Sequence, residues 1–155
     1  MIPLADDVQR TRKPVVTLVL SVAAAGAALA ALFAGDGIWT VLLLAACALW
    51  IWVFGRSVED AIGPVWFVLL ALVGGAGAVM IGIAAGMDGR YAAAAASGVA
   101  LEVVVAHLLR FRDVRILCLV PVPVVARIVE TPAWPWALTG AALLVLLGAA
   151  GAYGA

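Results

Sequence analysis

The sequence predicts an all-α fold, a polytopic membrane helical bundle with five transmembrane helices. Three observations carry this. Of 155 residues, 67% are apolar and 12% are Asp, Glu, Lys or Arg, where soluble globular domains run at roughly 45–50% and about 25%. The apolar residues gather into five runs, each near the ~20 residues that a bilayer crossing needs. All charged residues except Glu102 fall at the ends of those runs or between them. Nine basic and nine acidic residues cancel, so no net charge recommends nucleic acid as a partner.

Taken in order, residues 1–14 read as a cytoplasmic tail carrying Asp6, Asp7, Arg10, Arg12 and Lys13, and residues 15–155 as the membrane domain. The first run, 15–34, has some likeness to a secretory leader. It reads better as an uncleaved helix, because it is long enough to span and four more runs follow. Those are 38–55, 61–86, 91–109 and 133–151. The links Gly35-Asp36-Gly37, Arg56 to Asp60 and Met87 to Arg90 are short, so sequential helices are expected to be antiparallel. The longer link, 110–132, contains an apolar stretch from Ile116 to Val129 broken by Pro121 and Pro123. Each proline removes a backbone donor, which argues against a straight sixth helix there. A re-entrant or interface-lying segment is the expectation, with the conformation of 116–130 left open.

Basic residues near span ends mark the cytoplasmic side. With the N-terminus inside, Arg10, Arg12, Lys13, Arg56, Arg110, Arg112, Arg115 and Arg127 collect on the inner side, and Arg90 alone on the outer. The C-terminus is then outside. Trp39, Tyr91 and Tyr153 fall at the outer boundary, and Trp66, Trp134 and Trp136 nearer the inner one, as interface belts would. Cys47 and Cys118 lack metal-ligand spacing and read as small buried hydrophobes without a disulfide. No metal or cofactor is expected.

The polar groups within the spans cluster in the fourth run: Ser97, Glu102 and His107. Ionisable groups at the bilayer centre are costly and are functional candidates by default. Each also has a plainer reading. Ser97 can bond back to its own helix. A nucleophile needs a base within hydrogen-bond reach, and His107, the one histidine in the sequence, stands ten residues further along, ~15 Å at ~1.5 Å per residue. Glu102 shares a face with Ala94 and Gly98, a small-residue stripe that suits close helix approach, and can be a protonated carboxyl in a helix interface. His107 and Glu102 point ~140° apart around the helix. His107, one turn from the cytoplasmic end, reads as an interfacial histidine.

Several segments together resemble one family, the rhomboid intramembrane serine proteases of bacteria. Met1-Ile2-Pro3-Leu4 with Asp6-Asp7, a basic cluster and Pro14-Val15-Val16-Thr17 looks like the family's opening. The stretch from Trp52 to Gly63 (WVFGRSVEDAIG) is similar to its junction of second and third helices. Ala96-Ser97-Gly98 sits where the family keeps a Gly-x-Ser-Gly nucleophile motif, and Pro121 with Val129 to Trp134 resembles the approach to the fifth helix. The resemblance covers most of the chain in the right order and implies that Ser97 opens toward the outer face.

The departures from the family pattern bear on activity. The resemblance implies a catalytic histidine on a sixth helix, whereas this sequence ends at Ala155 after the fifth run. It implies a His and an Asn supporting the oxyanion on the second helix, where this chain has Leu43 and Cys47. The motif's first Gly is Ala95, and the long first loop is reduced to Gly35-Asp36-Gly37. Glu102 and Val105 stand where the family keeps small residues facing the sixth helix. A serine without base or oxyanion donors lacks the parts that supply most of the rate. The expectation is a non-proteolytic rhomboid-like protein in a bacterial inner membrane, an accessory subunit or binding scaffold. Its partners would be the lipid bilayer and another integral membrane protein or a second copy, packed on the fourth helix at Ala94, Gly98, Glu102, Val105 and His107. The alternative is a protease that completes Ser97 with a base from another chain. Proton handling by Glu102 is a third possibility, disfavoured because a pathway needs several polar groups along a lumen.

Overall fold

The structure, a computed structural model, describes residues 2–6, 13–84, 91–111, 115–121 and 126–153, with side-chain surroundings over 13–84, 91–111 and 134–146. The part read as membrane-spanning is helical, as expected, with five helices among the described residues. They are α1 (Val15–Ala34), α2 (Ile38–Ile62), α3 (Pro64–Ala84), α4 (Tyr91–Arg110) and α5 (Ala133–Tyr153). The first four are each long and apolar enough to cross a bilayer; in α5 the described apolar stretch is Trp134–Leu146. The expected loop at Met87 to Arg90 lies outside the described residues, as do Arg10, Arg12 and Arg112 and the side chains of Arg115, Cys118, Arg127 and Tyr153.

Glycine closes α1. Gly35 takes a left-handed φ of 77°, its N–H reaches Leu32 O at 3.3 Å, and the Asp36 N–H reaches Ala31 O at 2.9 Å. This is a Schellman end, and it reverses the chain within the short link read from the sequence.

The second helix is longer than the run 38–55. It continues through Arg56, Ser57, Val58, Glu59 and Asp60, which the sequence suggested as a connection, and stops only at Gly63 with φ 85° before Pro64 opens α3. Charge alone does not end a helix when its groups find partners. The Arg56 guanidinium lies 3.7 Å from the Trp52 ring centroid. The Glu59 carboxylate is buried and accepts from the backbone of α1: Val16 N to Oε1 at 3.0 Å and Thr17 N to Oε2 at 2.7 Å. The first turn of α1 has no side-chain cap of its own at Pro14, so a carboxylate from α2 meets donors that every helix start leaves free.

Helix α2 lies at the centre, in contact with α1, α3, α4 and α5. Its inward face carries Leu43, Leu44, Cys47, Trp50, Ile51, Phe54 and Val58, all buried. Against it α1 turns a face of small residues, Thr17, Ser21, Ala24, Ala28 and Ala31, the composition that lets helix backbones approach in lipid. Gly55 sits where a Cβ would lie 3.1 Å from Thr17 and 3.2 Å from Phe67. On the α5 side, a Cβ at Gly140 would come within 2.7 Å of the Trp50 ring, so α5 rests flat on that indole.

The link between α4 and α5 differs from expectation. In place of a re-entrant or interfacial segment, it holds a hairpin of β2 (Arg115–Pro121) and β3 (Ala126–Pro132), antiparallel from Arg115↔Pro132 to Pro121↔Ala126. The N-terminal segment β1 (Ile2–Asp6) joins β2 antiparallel, giving the order β1-β2-β3. The tail is therefore held to the chain's last loop. The β-branched content of the stretch suits strands. Pro121 and Pro132 stand at strand ends, and Pro3 lies in an edge strand, where a missing donor is tolerated.

Candidate functional site

Ser97, Glu102 and His107 all lie on α4, which is packed between α2 and α3 and also touches α5. Side-chain direction around a helix decides what each can meet, and the three meet different neighbours.

Ser97 faces α2. Its Oγ donates to Ala93 O at 2.7 Å, the back-bond to its own helix, and the Cys47 Sγ lies 4.0 Å away in position to donate to that oxygen. Cys47 is fully buried and carries a free thiol, and Leu43, one turn earlier on the same face of α2, is buried in the core. The position that the resemblance pairs with an oxyanion-supporting Asn, Cys47, thus stands beside the serine in space. It carries a thiol, a weak donor, where a carboxamide would supply a strong one.

Ala95, Gly98 and Glu102 face α3. The carbonyl of Ala95 would lie 3.7 Å from a Cβ at Gly75, and Val99 Cγ2 would lie 3.4 Å from it. At Gly98 a Cβ would run into the Gly74 carbonyl and the Ala78 methyl, so only glycine allows this approach of α3 and α4. Gly74 is the reciprocal case: a Cβ there would overlap the Glu102 carboxylate. The sequence reading put Ala94, Gly98 and Glu102 together on a face freed for a partner. Gly98 and much of Glu102 are instead covered by α3 of the same chain, because the two glycines bring the backbones together. Ala94 is half-buried, and Val105 remains open at 45% exposure.

Glu102 Oε2 is buried without a hydrogen-bond partner, although the residue as a whole is only half-buried. The carboxyl lies against the backbone of Gly74.

His107 is packed inside the bundle. It is fully buried, 4.7 Å from Phe54 and 5.1 Å from Phe111 between ring centroids, and neither ring nitrogen has a hydrogen-bond partner. Phe54 in turn stacks on Trp50 at 5.3 Å. Apolar walls on both sides draw the ring in, though the helix end and Arg110 are one turn away. The histidine is thus held among aromatic rings toward the Arg110 end of α4, away from Ser97.

Two relations escaped the sequence reading. Glu59 was counted as a loop charge, and the one local sign of its role is that α1 opens on Pro14 without a capping side chain. The contact of Cys47 with Ser97 spans 50 residues of sequence and had no local signal beyond the family register. Among the described residues, no group of three His, Cys, Asp or Glu is placed to hold a metal ion.

Comparison with curated proteins and with solved structures gives no match. Comparison with family profiles matches the Rhomboid domain over residues 37–153. That stretch is more than half of the chain and takes in α2 to α5 whole, with the Cys47–Ser97 contact inside it. The chain belongs to the rhomboid family.

Proposed function

We propose that this rhomboid-family membrane protein binds another membrane protein and does not cut one, acting as an accessory subunit or scaffold in a bacterial inner membrane. The observation that carries the reading is the surroundings of Ser97. The hydroxyl gives its hydrogen to Ala93 O, and its neighbour across α2 is the thiol of Cys47, with Leu43 a turn away. Acyl transfer needs a base to take the serine proton and donors aimed at the developing oxyanion. A leucine supplies no donor and a thiol only a weak one. His107 is stacked between Phe54 and Phe111, ten residues along the helix and ~15 Å away.

Orientation follows the basic residues, eight on the side of the N-terminus against Arg90, which puts the N-terminus in the cytoplasm and the C-terminus outside. Reporter fusions at the two ends test this. A fluorophosphonate probe on the purified chain in lipid discs tests the activity: Ser97 stays unlabelled. Labelling that disappears in Ser97→Ala overturns the proposal and favours a protease with a base from another chain.

A further inference from the structure

We propose that the uncovered face of α4 beside Glu102 is a docking site for a transmembrane helix that carries a basic side chain, Lys or Arg, at mid-membrane depth. The inference rests on the binding reading above and names the chemistry of the partner.

The depth comes from the helix itself. At ~1.5 Å per residue, Glu102 lies ~16 Å from the Tyr91 end and ~12 Å from the Arg110 end. A carboxyl in mid-membrane is expensive unless it faces a cavity, a partner group or another protein. Among the described residues it lies against the backbone of Gly74, and no charged side chain is placed against it. Oε2 is pressed against Gly74 without a hydrogen bond, and backbone donors of α3 are spent within that helix. Ser97 on α4 and Cys47 on α2 engage each other and Ala93 on the α2 side of α4.

The cations whose side chains are described lie elsewhere. Arg56 holds its guanidinium over Trp52, Arg110 ends α4 with its guanidinium 5.7 Å from the Phe111 ring, and Lys13 precedes α1. Each lies toward a helix end or is turned to an aromatic face.

The flank of Glu102 is open. Leu101 is 37% exposed and Val105 45% exposed, one residue before and three after it, so an apolar helix can lie along α4 and bring a side chain to the unsealed edge of the carboxyl. Charge complementarity selects the occupant. A second copy would set one Glu102 against another, two groups that repel when ionised. A helix with a Lys or Arg at that level supplies a counter-charge with N–H donors, and each ion relieves the other's cost in lipid. Aliphatic contacts at Leu101 and Val105 exclude lipid around the pair.

The test uses the full chain, fluorescently labelled, in phosphatidylcholine vesicles. The probe is a synthetic leucine–alanine transmembrane peptide with one central Lys, read by energy transfer against the same peptide with Leu at that position. The Lys peptide should associate about tenfold more tightly. That preference should vanish in Glu102→Ala and when the Lys is moved two turns toward either peptide end. Val105→Trp keeps the carboxyl, lies on the exposed side and should block both peptides; circular dichroism confirms that each variant is folded. Equal association of the two peptides, or a preference that survives Glu102→Ala, overturns the proposal. So does energy transfer between two labelled copies of the chain that shuts out the Lys peptide, since the occupant is then a second copy. Fluorophosphonate labelling of Ser97 is a separate outcome: it removes the non-proteolytic reading, and the peptide preference is still measured independently.

Discussion

Glu59 on α2 and Glu102 on α4 are the same residue on neighbouring helices of one apolar bundle, in opposite circumstances. Glu59 is 3% exposed, and both its oxygens accept backbone N–H groups from the first turn of α1. Glu102 is half-buried, and its sealed oxygen accepts nothing. The difference lies in the backbone each one meets. A helix start offers free donors and a partial positive charge, whereas mid-helix backbone at Gly74 has already spent its donors. A carboxylate in this protein is a fastener where it meets a helix end; where it meets a helix middle, it is the recognition group of the proposed docking site.

Substitutions at four positions test that contrast. The largest effect is expected for Glu59→Ala, which leaves two N–H groups of α1 unpaired. With hydrogen bonds to a charged group at about 1.5–3 kcal/mol, a loss of about 3 kcal/mol is expected, measured by thermal unfolding in detergent. Glu59→Gln, which keeps an acceptor oxygen, should recover part of it.

Next comes Gly98→Val, which drives a side chain into the Gly74 carbonyl and Ala78. Overpacking of this kind costs about 1–3 kcal/mol, and the same unfolding assay should show α3 separating from α4. An unchanged melting temperature would break the account of that contact.

Glu102→Gln should move the stability of the isolated chain by under about 0.5 kcal/mol, since surface-type changes without a lost partner stay in that range. Its effect belongs to the Lys-peptide association instead. A stability loss as large as that of Glu59→Ala would make the two carboxylates alike and erase the distinction.

The smallest effect is expected for Ser97→Ala, within about 0.5 kcal/mol, because the hydroxyl bonds only to its own helix and weakly to a thiol. Unchanged fluorophosphonate background in this variant agrees with a serine that has no base.

Much of the architecture was legible in the residues. The run 15–34 coincides with α1, and 91–109 and 133–151 fall within a residue or two of α4 and α5. Long apolar stretches bounded by glycine and charge leave the chain few other choices in a bilayer. The end of α2 was misread because Arg56 to Asp60 look like a loop by charge, yet each charge there has a place to go. The hairpin of β2 and β3 was missed because its strands draw β1 from the far end of the sequence, a pairing that no local pattern announces. At the site, the sequence singled out Cys47 and Ser97 separately, and their contact across 50 residues of sequence carries no local signal. The helical wheel put Gly98 and Glu102 on one face, and could not say that α3 would cover most of it.

Composition and the order of residues by themselves determined a membrane bundle of helices and where its charges lie along the chain. These are properties of single residues and of local periodicity, and the bilayer enforces them helix by helix. Only the tertiary structure decided that Glu59 caps α1, that His107 is buried between Phe54 and Phe111, and that Glu102 lies against Gly74 with Leu101 and Val105 open beside it. The physical reason is that hydrogen-bond supply in lipid is settled by which backbone comes to lie opposite a polar group. For the Glu59 cap that backbone is more than forty residues away in the sequence.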